Sequence, residues 1–400
     1  MKDSGIDWIG KIPDEWEINK IDSLYTLRNT KVSDKDYPPL SVTMKGIVPQ
    51  LATAAKSDDG DNRKLVKKGD FVINSRSDRR GSSGISNYDG SVSLINTVLT
   101  PREKMNPDYY NWLFHTVQFE DEFYKWGHGI VDDLWTTRWQ DMKNISVLVP
   151  PEEAQEKIAG FLDKKCSEID SVIEESKKSI EEYKAWKQSV IFEAVTGKNN
   201  RKKWKQEKLK YLADYNIESL SEETNGDFNF DYIDIGSVKF GEGIISKENM
   251  NFKVAPSRAR RIVKEGDVII SSVRTYLKAI AKIEKSDVPQ IVSTGFVVFT
   301  PNKEKIKSDF LYYAISSENL IEQVESNSVG ISYPAINAID IANFKIPLPS
   351  IKEQEEISIE IDKKCAQIDS LISEKQSLIK DLAEYKRSLI FEAVTGKRKV

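Results

Sequence analysis

Gln155–Lys198 reads QEKIAGFLDKKCSEIDSVIEESKKSIEEYKAWKQSVIFEAVTGK and Gln354–Lys397 reads QEEISIEIDKKCAQIDSLISEKQSLIKDLAEYKRSLIFEAVTGK. They align without a gap, with 23 identities in 44 positions. Stepping alternately four and three residues from Leu162 meets Cys166, Ile169, Ile173, Ser176, Ile180, Tyr183, Lys187, Val190 and Ala194. The second copy repeats the pattern from Ile361 through Cys365, Ile368 and Ile372, apolar except at Lys375 and Lys386. A 3.5-residue apolar period is the signature of a coiled coil. Pro151 at a helix start, Glu152 and Glu153 in the first turn, a Ser350/Glu353 capping box, and Gly197 and Gly396 as stops bound two helices. Each runs to about 45 residues, roughly 65–70 Å at 1.5 Å per residue. An amphipathic helix needs a partner, and the two copies are expected to pair antiparallel about a pseudo-twofold axis. Cys166 and Cys365 then fall in the seam as small apolar fillers.

Working outward, the repeat continues more faintly. Lys67–Ser75 (KKGDFVINS) matches Lys264–Ser272 (KEGDVIISS), and Ser93–Pro101 matches Ser293–Pro301. Short β-branched and aromatic runs predict strands at Phe71–Asn74, Val92–Leu99, Val268–Ser271, Ile291–Phe299 and Asn343–Leu348, with helices at Asp108–Phe119 and Ser308–Val324. The expected architecture is α+β: two similar mixed α/β domains, residues 1–149 and 198–348, separated by long helices at 150–197 and 349–400.

Over the whole chain of 400 residues, 59 Lys plus Arg face 63 Asp plus Glu, a formal net charge of −4. The length exceeds a single core of about 250–300 residues. No apolar run approaches the ~18 residues of a membrane span and no signal-peptide pattern opens the chain, so a soluble, cytoplasmic protein is expected. Two cysteines and two histidines exclude a disulfide scaffold and a Cys-rich zinc site, and leave little for His-based metal or acid–base chemistry.

Charge becomes informative in smaller windows. Arg63–Arg80 holds seven basic residues against two acidic, and Lys253–Lys278 repeats that +5 balance at the matching place. Arginines beyond a strand suit phosphate anchoring and guanine-edge reading, although solvated surface loops explain the windows equally well. The candidate DNA contacts are Asn74, Arg76, Arg79, Arg80, Arg258, Arg260, Arg274 and Lys278, with Arg76 and Arg274 the expected base readers. Ser75, Ser271 and Ser272 add polar groups. The Lys198, Arg201, Lys202, Lys203 and Lys205 cluster reads as a solvated linker.

Catalytic motifs are decoys here. Asn106-Pro107-Asp108-Tyr109 superficially resembles the Asn-Pro-Pro-Tyr motif of adenine aminomethyltransferases, but it lacks the second proline and reads as a helix cap. Pro107-Asp108 with Asp141-Met142-Lys143 is a chance match to a nuclease pattern. No phosphate-binding glycine loop is present, and His115 and His128 read as structural. No catalytic residue, cofactor site or metal site is expected in this chain.

Ser4-Gly-Ile-Asp-Trp-Ile-Gly-Lys-Ile-Pro-Asp-Glu-Trp16, the Pro-Pro-x-x-x-Gln-Glu-x-Ile segment at 150–158, and the twice-written helix ending Glu-Ala-Val-Thr-Gly-Lys resemble the specificity subunits of type I restriction-modification systems. The resemblance covers essentially the full chain. It implies that each variable domain is a target-recognition domain reading one half of a bipartite site in double-stranded DNA, with the helices as spacer. It also implies assembly with two modification (methyltransferase) subunits bringing S-adenosylmethionine, and with restriction (ATP-dependent translocase and nuclease) subunits using ATP and magnesium. The rival expectations are a coiled-coil scaffold for protein interactions and, third, a degenerate methyltransferase or nuclease.

Overall fold

The structure is a computed structural model that describes residues 1–52, 60–103, 105–129, 135–198 and 203–400. The two repeats form helices Glu152–Thr196 and Ile351–Val394, of 45 and 44 residues. Pro151 stands just before the first, its carbonyl accepting from the amides of Ala154 and Gln155. At the second start the Ser350 amide donates to Glu353 Oε2 at 3.0 Å and the Glu353 amide to Ser350 Oγ at 3.4 Å, the reciprocal capping box. Gly197 and Gly396 take φ of +69°, the left-handed backbone that ends a helix at little cost to glycine.

The chain divides into two compact units, one of Met1–Ser176 with Ser377–Val400, the other of Lys177–Gln376. Within the first, the start of the first long helix packs against the end of the second, with Leu162, Cys166 and Ile169 beside Leu389 and Ala393. Within the second, Ile191 and Val195 pack with Ile361 and Cys365. Lys386 pairs with Asp170 in one unit at 2.7 Å, and Lys187 with Asp369 in the other at 2.8 Å. Residue numbers therefore rise on one helix as they fall on the other, which is the antiparallel coiled coil. Lys187 and Lys386, the matching polar breaks of the two apolar seams, are thus in cross-helix ion pairs at equivalent places. Both cysteines are free and buried, and burial pushes the Cys166 thiol up to about 11.

Each unit carries the same four-stranded antiparallel sheet. In the first its order is Ser83–Ile85, Phe71–Asn74, Asn96–Pro101, Tyr25–Leu27; in the second it is Ile280–Lys282, Val268–Ser271, Phe296–Pro301, Ala213–Tyr215. The FVIN and VIIS strands are buried on both faces, hence the apolar runs Phe71–Ile73 and Val268–Ile270. Each is launched by the repeated Gly-Asp turn. Gly69 and Gly266 take positive φ, and the following aspartate accepts from the amide three residues back, Lys67 to Asp70 at 2.8 Å and Lys264 to Asp267 at 2.9 Å.

The run expected as one strand at Val92–Leu99 is two, Gly90–Val92 and Asn96–Pro101, and Ile291–Phe299 likewise divides into Gln290–Ser293 and Phe296–Pro301. The reason is a change of sheet: Gly90–Val92 pairs with Arg63–Val66, whereas Asn96–Pro101 pairs with Phe71–Asn74. The expected helices split similarly into Pro107–Phe114 with Val117–Lys125 and Ser308–Ile315 with Glu318–Ser326. In the first pair Thr116 breaks the run by capping the second helix, accepting from the Phe119 amide at 3.2 Å. Asn343 ends a short helix, and the strand expected from it begins at Lys345.

Three devices fasten each domain to its helix. A strand near the start of each domain pairs with its last strand, Glu17–Lys20 with Ser146–Val149 and Lys205–Lys208 with Lys345–Leu348. Buried Gln155 and Gln354 accept from the amides of Asn106 and Lys307, both at 2.8 Å, and donate to the carbonyls of Pro150 and Pro349. Trp112 donates to Asp163, and Tyr313 to Asp362 at the matching helix position. In the first unit Tyr109 also donates to the carbonyl of Val394 at the end of the second long helix, at 2.7 Å.

Candidate nucleic-acid interface

The chain leaving each buried strand turns at once. In the first unit Asn74 Oδ1 accepts from the Arg76 amide at 3.0 Å, and Arg76 leads a single 3-10 turn, Ser77–Arg79. In the second, Arg274 leads the turn Thr275–Leu277 with φ of 51°, and Lys278 closes it with φ of 47°. A second segment backs each turn. Thr136 bridges both Arg76 and His128, while Ala335 bridges both Val273 and Val329. The Ser77 amide donates to the carbonyl of Trp135 at 3.1 Å and that of Thr275 to Pro334 at 3.4 Å. These contacts align Arg76 with Val273 and Ser77 with Thr275, so the second turn holds one extra residue, Arg274. Left-handed backbone at a non-glycine residue is how the insertion is absorbed.

The eight candidates divide by what holds them. Arg76 and Arg274, both half-buried, have no side-chain hydrogen bond or ion pair among the described residues. Arg79 is exposed and lies 3.6 Å from its neighbour Asp78. Arg80 pairs with Asp121 and Glu120 on the helix Val117–Lys125 and lies over the Tyr124 ring. Arg258 bonds to Asp234 at 3.0 Å and Tyr232 at 3.2 Å, and these partners hold its guanidinium more firmly protonated than usual. Arg260 reaches Glu222 at 3.5 Å and packs over Phe252, and Lys278 meets Glu325 at 3.2 Å. Asn74 is buried, its side-chain oxygen turned to the Arg76 amide.

The basic windows are therefore less available than their charge suggests. Arg63 is buried, donating to Ser91 Oγ at 2.8 Å, and Lys64 donates to the Asn96 carbonyl at 2.7 Å; burial lowers both pKa values. The serines are inward as well: Ser75 bonds Thr97, Ser272 donates to the Gly295 carbonyl, and Ser271 Oγ is buried with no bonded partner among the described residues. Arg201 and Lys202 of the linker cluster lie outside the described residues, and Lys205 pairs with Glu207 at 2.8 Å.

Two elements were not foreseen. The hairpin Leu40–Thr43/Gly46–Pro49 places Ser41, Thr43 and exposed Met44 across a cleft from Asn74, Arg79 and Arg80. Gly84 allows the close approach, since a Cβ there would meet Gly46 Cα at 2.9 Å. The other is the backing segment, seen at His128, Trp135 and Thr136 in the first unit and at 329–335 in the second, and marked in sequence only by nearby glycines and by Pro334.

The decoy motif is a cap: Asn106 Oδ1 accepts from the Tyr109 amide at 3.1 Å. His115 bonds the Asn111 carbonyl at 2.6 Å and lies 3.3 Å from Ser83 Oγ, a structural role. His128 lies 3.3 Å from Asp141. Among the described residues no group of three or more His, Cys, Asp or Glu is arranged to hold a metal ion, and no helix is long and apolar enough to cross a membrane.

Two copies of the type I restriction modification DNA specificity domain match residues 13–182 and 187–380. The type I restriction enzyme MjaVIII specificity subunit of Methanocaldococcus jannaschii is 24% identical over 98% of this chain and 94% of its own length. The putative MjaX specificity subunit of the same organism is 24% identical over 98% and 96%. Among solved structures, a chain from work on the assembly and conformational transition of a type I R-M system has a TM-score of 0.76 at 16% identity, covering 97% of this chain and all of its own. The HsdS subunit of Thermoanaerobacter tengcongensis has a TM-score of 0.59 at 16% identity over the full length of both chains. With two copies of the family's domain, one on each β-rich half, and its fold throughout, the chain belongs to the type I restriction-modification specificity subunits.

Proposed function

We propose that each β-rich domain reads one half of a bipartite target in double-stranded DNA, and that the paired helices serve as spacer and as docking site for two modification subunits. The observation that carries this reading is the recurrence, at the end of the same buried strand in both units, of a tight turn led by an arginine without an acidic partner. Arg76 and Arg274 read base edges, where a bidentate guanidinium suits guanine. Arg79, Arg80, Arg258, Arg260 and Lys278 neutralise phosphates, and their carboxylate neighbours tune that grip. Asn74 supports the Arg76 turn.

The chain is a non-catalytic subunit of a cytoplasmic complex. S-adenosylmethionine, ATP and magnesium are used by the modification and restriction subunits that it directs. A net charge of −4 fits a chain that selects the site while its partners supply much of the electrostatic grip.

Footprinting of the chain with its modification partner tests the reading. Two short protected patches at a fixed gap are expected, and removal of charge at all seven basic candidates should abolish them. Unchanged duplex binding by that variant would overturn the assignment. The chain alone, given S-adenosylmethionine and DNA, should transfer no methyl group; turnover would overturn the non-catalytic role.

A further inference from the structure

The loop backing the Arg274 turn carries an exposed apolar tip. Ile331 is 102% exposed, Val329 80% and Tyr333 74%, and Tyr276 of the turn itself is 53% exposed. Apolar side chains gathered this way at one surface mark an interaction site. The tip is held by a defined frame. Val329 and Ala335 exchange both backbone hydrogen bonds at 2.8 and 3.0 Å, Gly330 takes φ of +115°, and Thr275 Oγ1 bonds Ser328 Oγ at 2.9 Å. Hydrogen bonds therefore tie turn and tip together, and the turn brings Arg274, without a carboxylate partner among the described residues, and Lys278.

The neighbouring charge selects the occupant. A cation without an acidic partner beside exposed aliphatic groups complements a polyanion that also displays methyl groups. In the major groove the apolar feature among the base edges is the thymine C5-methyl. Valine and isoleucine side chains carry no hydrogen-bonding atom, so a methyl group is what they can distinguish. We propose that Val329, Ile331 and Tyr333 form a methyl-reading tip that contacts thymine in the half-site of the second unit, beside the base edge read by Arg274. The inference rests on the DNA-reading function above. In the first unit the residue matching Val329 by its bridge within the backing segment is His128.

The test uses the chain assembled with its modification subunits. Sequencing of methylated bases gives the target, and Arg274→Ala identifies the second unit's half-site as the one whose specificity relaxes. Replacing thymine there by deoxyuridine removes only the methyl group and should weaken binding about five-fold or more. Ile331→Asn, at a side chain that supports no fold contact, should weaken binding to the thymine duplex similarly and abolish the response to deoxyuridine. A half-site without A·T pairs, or a deoxyuridine duplex bound as tightly as thymine, would overturn the tip. So would an Ile331→Asn defect in subunit assembly with DNA reading intact, which would assign the tip to a protein partner. If Arg274→Ala weakens binding while both other changes are silent, the tip alone fails. If all three are silent, the DNA-reading role fails with it.

Discussion

Both units build the same Gly-Asp turn and surround its aspartate differently. Asp70 receives Arg28 at 2.6 and 3.0 Å, the Lys67 amide and Thr100 Oγ1. Asp267 keeps the equivalent amide bond, from Lys264, and a bond from Thr300, but the position matching Arg28 is Asn216, whose side chain accepts from the Val298 amide instead. Without the guanidinium, burial dominates and raises the Asp267 carboxyl above its usual range. The turn thus depends on an acceptor for backbone amides, and the ion pair is an addition made by one unit only.

That contrast can be broken most strongly at Asp70. Asp70→Asn leaves Arg28 facing a neutral amide in a largely buried site and should cost about 3 kcal/mol, read as an earlier denaturant midpoint for the first unit. A cost as small as that at Asp267 would show the guanidinium to be incidental. Next, Arg76→Ala and Arg274→Ala should each relax specificity in one half-site, at about 1–3 kcal/mol, leaving the other half-site intact. Methylation mapping of the two variants checks this, and loss at both halves from a single substitution would contradict separate readers.

Asp267→Asn should cost only about 1 kcal/mol at neutral pH. Its pH dependence has a definite sign. A carboxyl with a raised folded pKa binds its proton more tightly when folded. Its stabilising contribution is therefore full below the unfolded value near pH 3.9 and is lost as pH rises through the folded value. Wild type should thus gain on the non-titrating variant as pH falls from neutral toward 4. Urea titrations at both ends measure the difference, and a shrinking gap would refute the assigned environment. The smallest effects belong to Lys187→Ala and Lys386→Ala, about 0.2–1 kcal/mol each and equal to one another if the two helix pairings are equivalent.

What was legible in the sequence followed from short-range periodicity. The helices, their caps, the cysteine seam and the two Gly-Asp strands are written in spacings of a few residues. What was illegible depends on partners far along the chain. Arg28 meets Asp70 across 42 positions, and Arg80 turns to Glu120 and Asp121 on a helix that the charge window did not include. Splitting of the long strands reflects a crossing between sheets, which an apolar run cannot announce. The extra residue before Thr275 became visible only through the bridges to Ala335, so Arg76 and Arg274 are analogous in place without being identical in backbone.

The pairing of an early strand with the last strand of each domain has a consequence for how such a chain can change over generations. Glu17–Lys20 against Ser146–Val149, and Lys205–Lys208 against Lys345–Leu348, bring the entrance and exit of each domain side by side on the helix that carries it. Everything between them hangs from one closed clasp. Loops can lengthen, a turn can gain an arginine, and a whole sheet edge can be rewritten without shifting the two ends. The reading surface is thereby free to change without moving the helices, and within this one chain the two helices match at 23 of 44 positions while the domains they carry match only faintly.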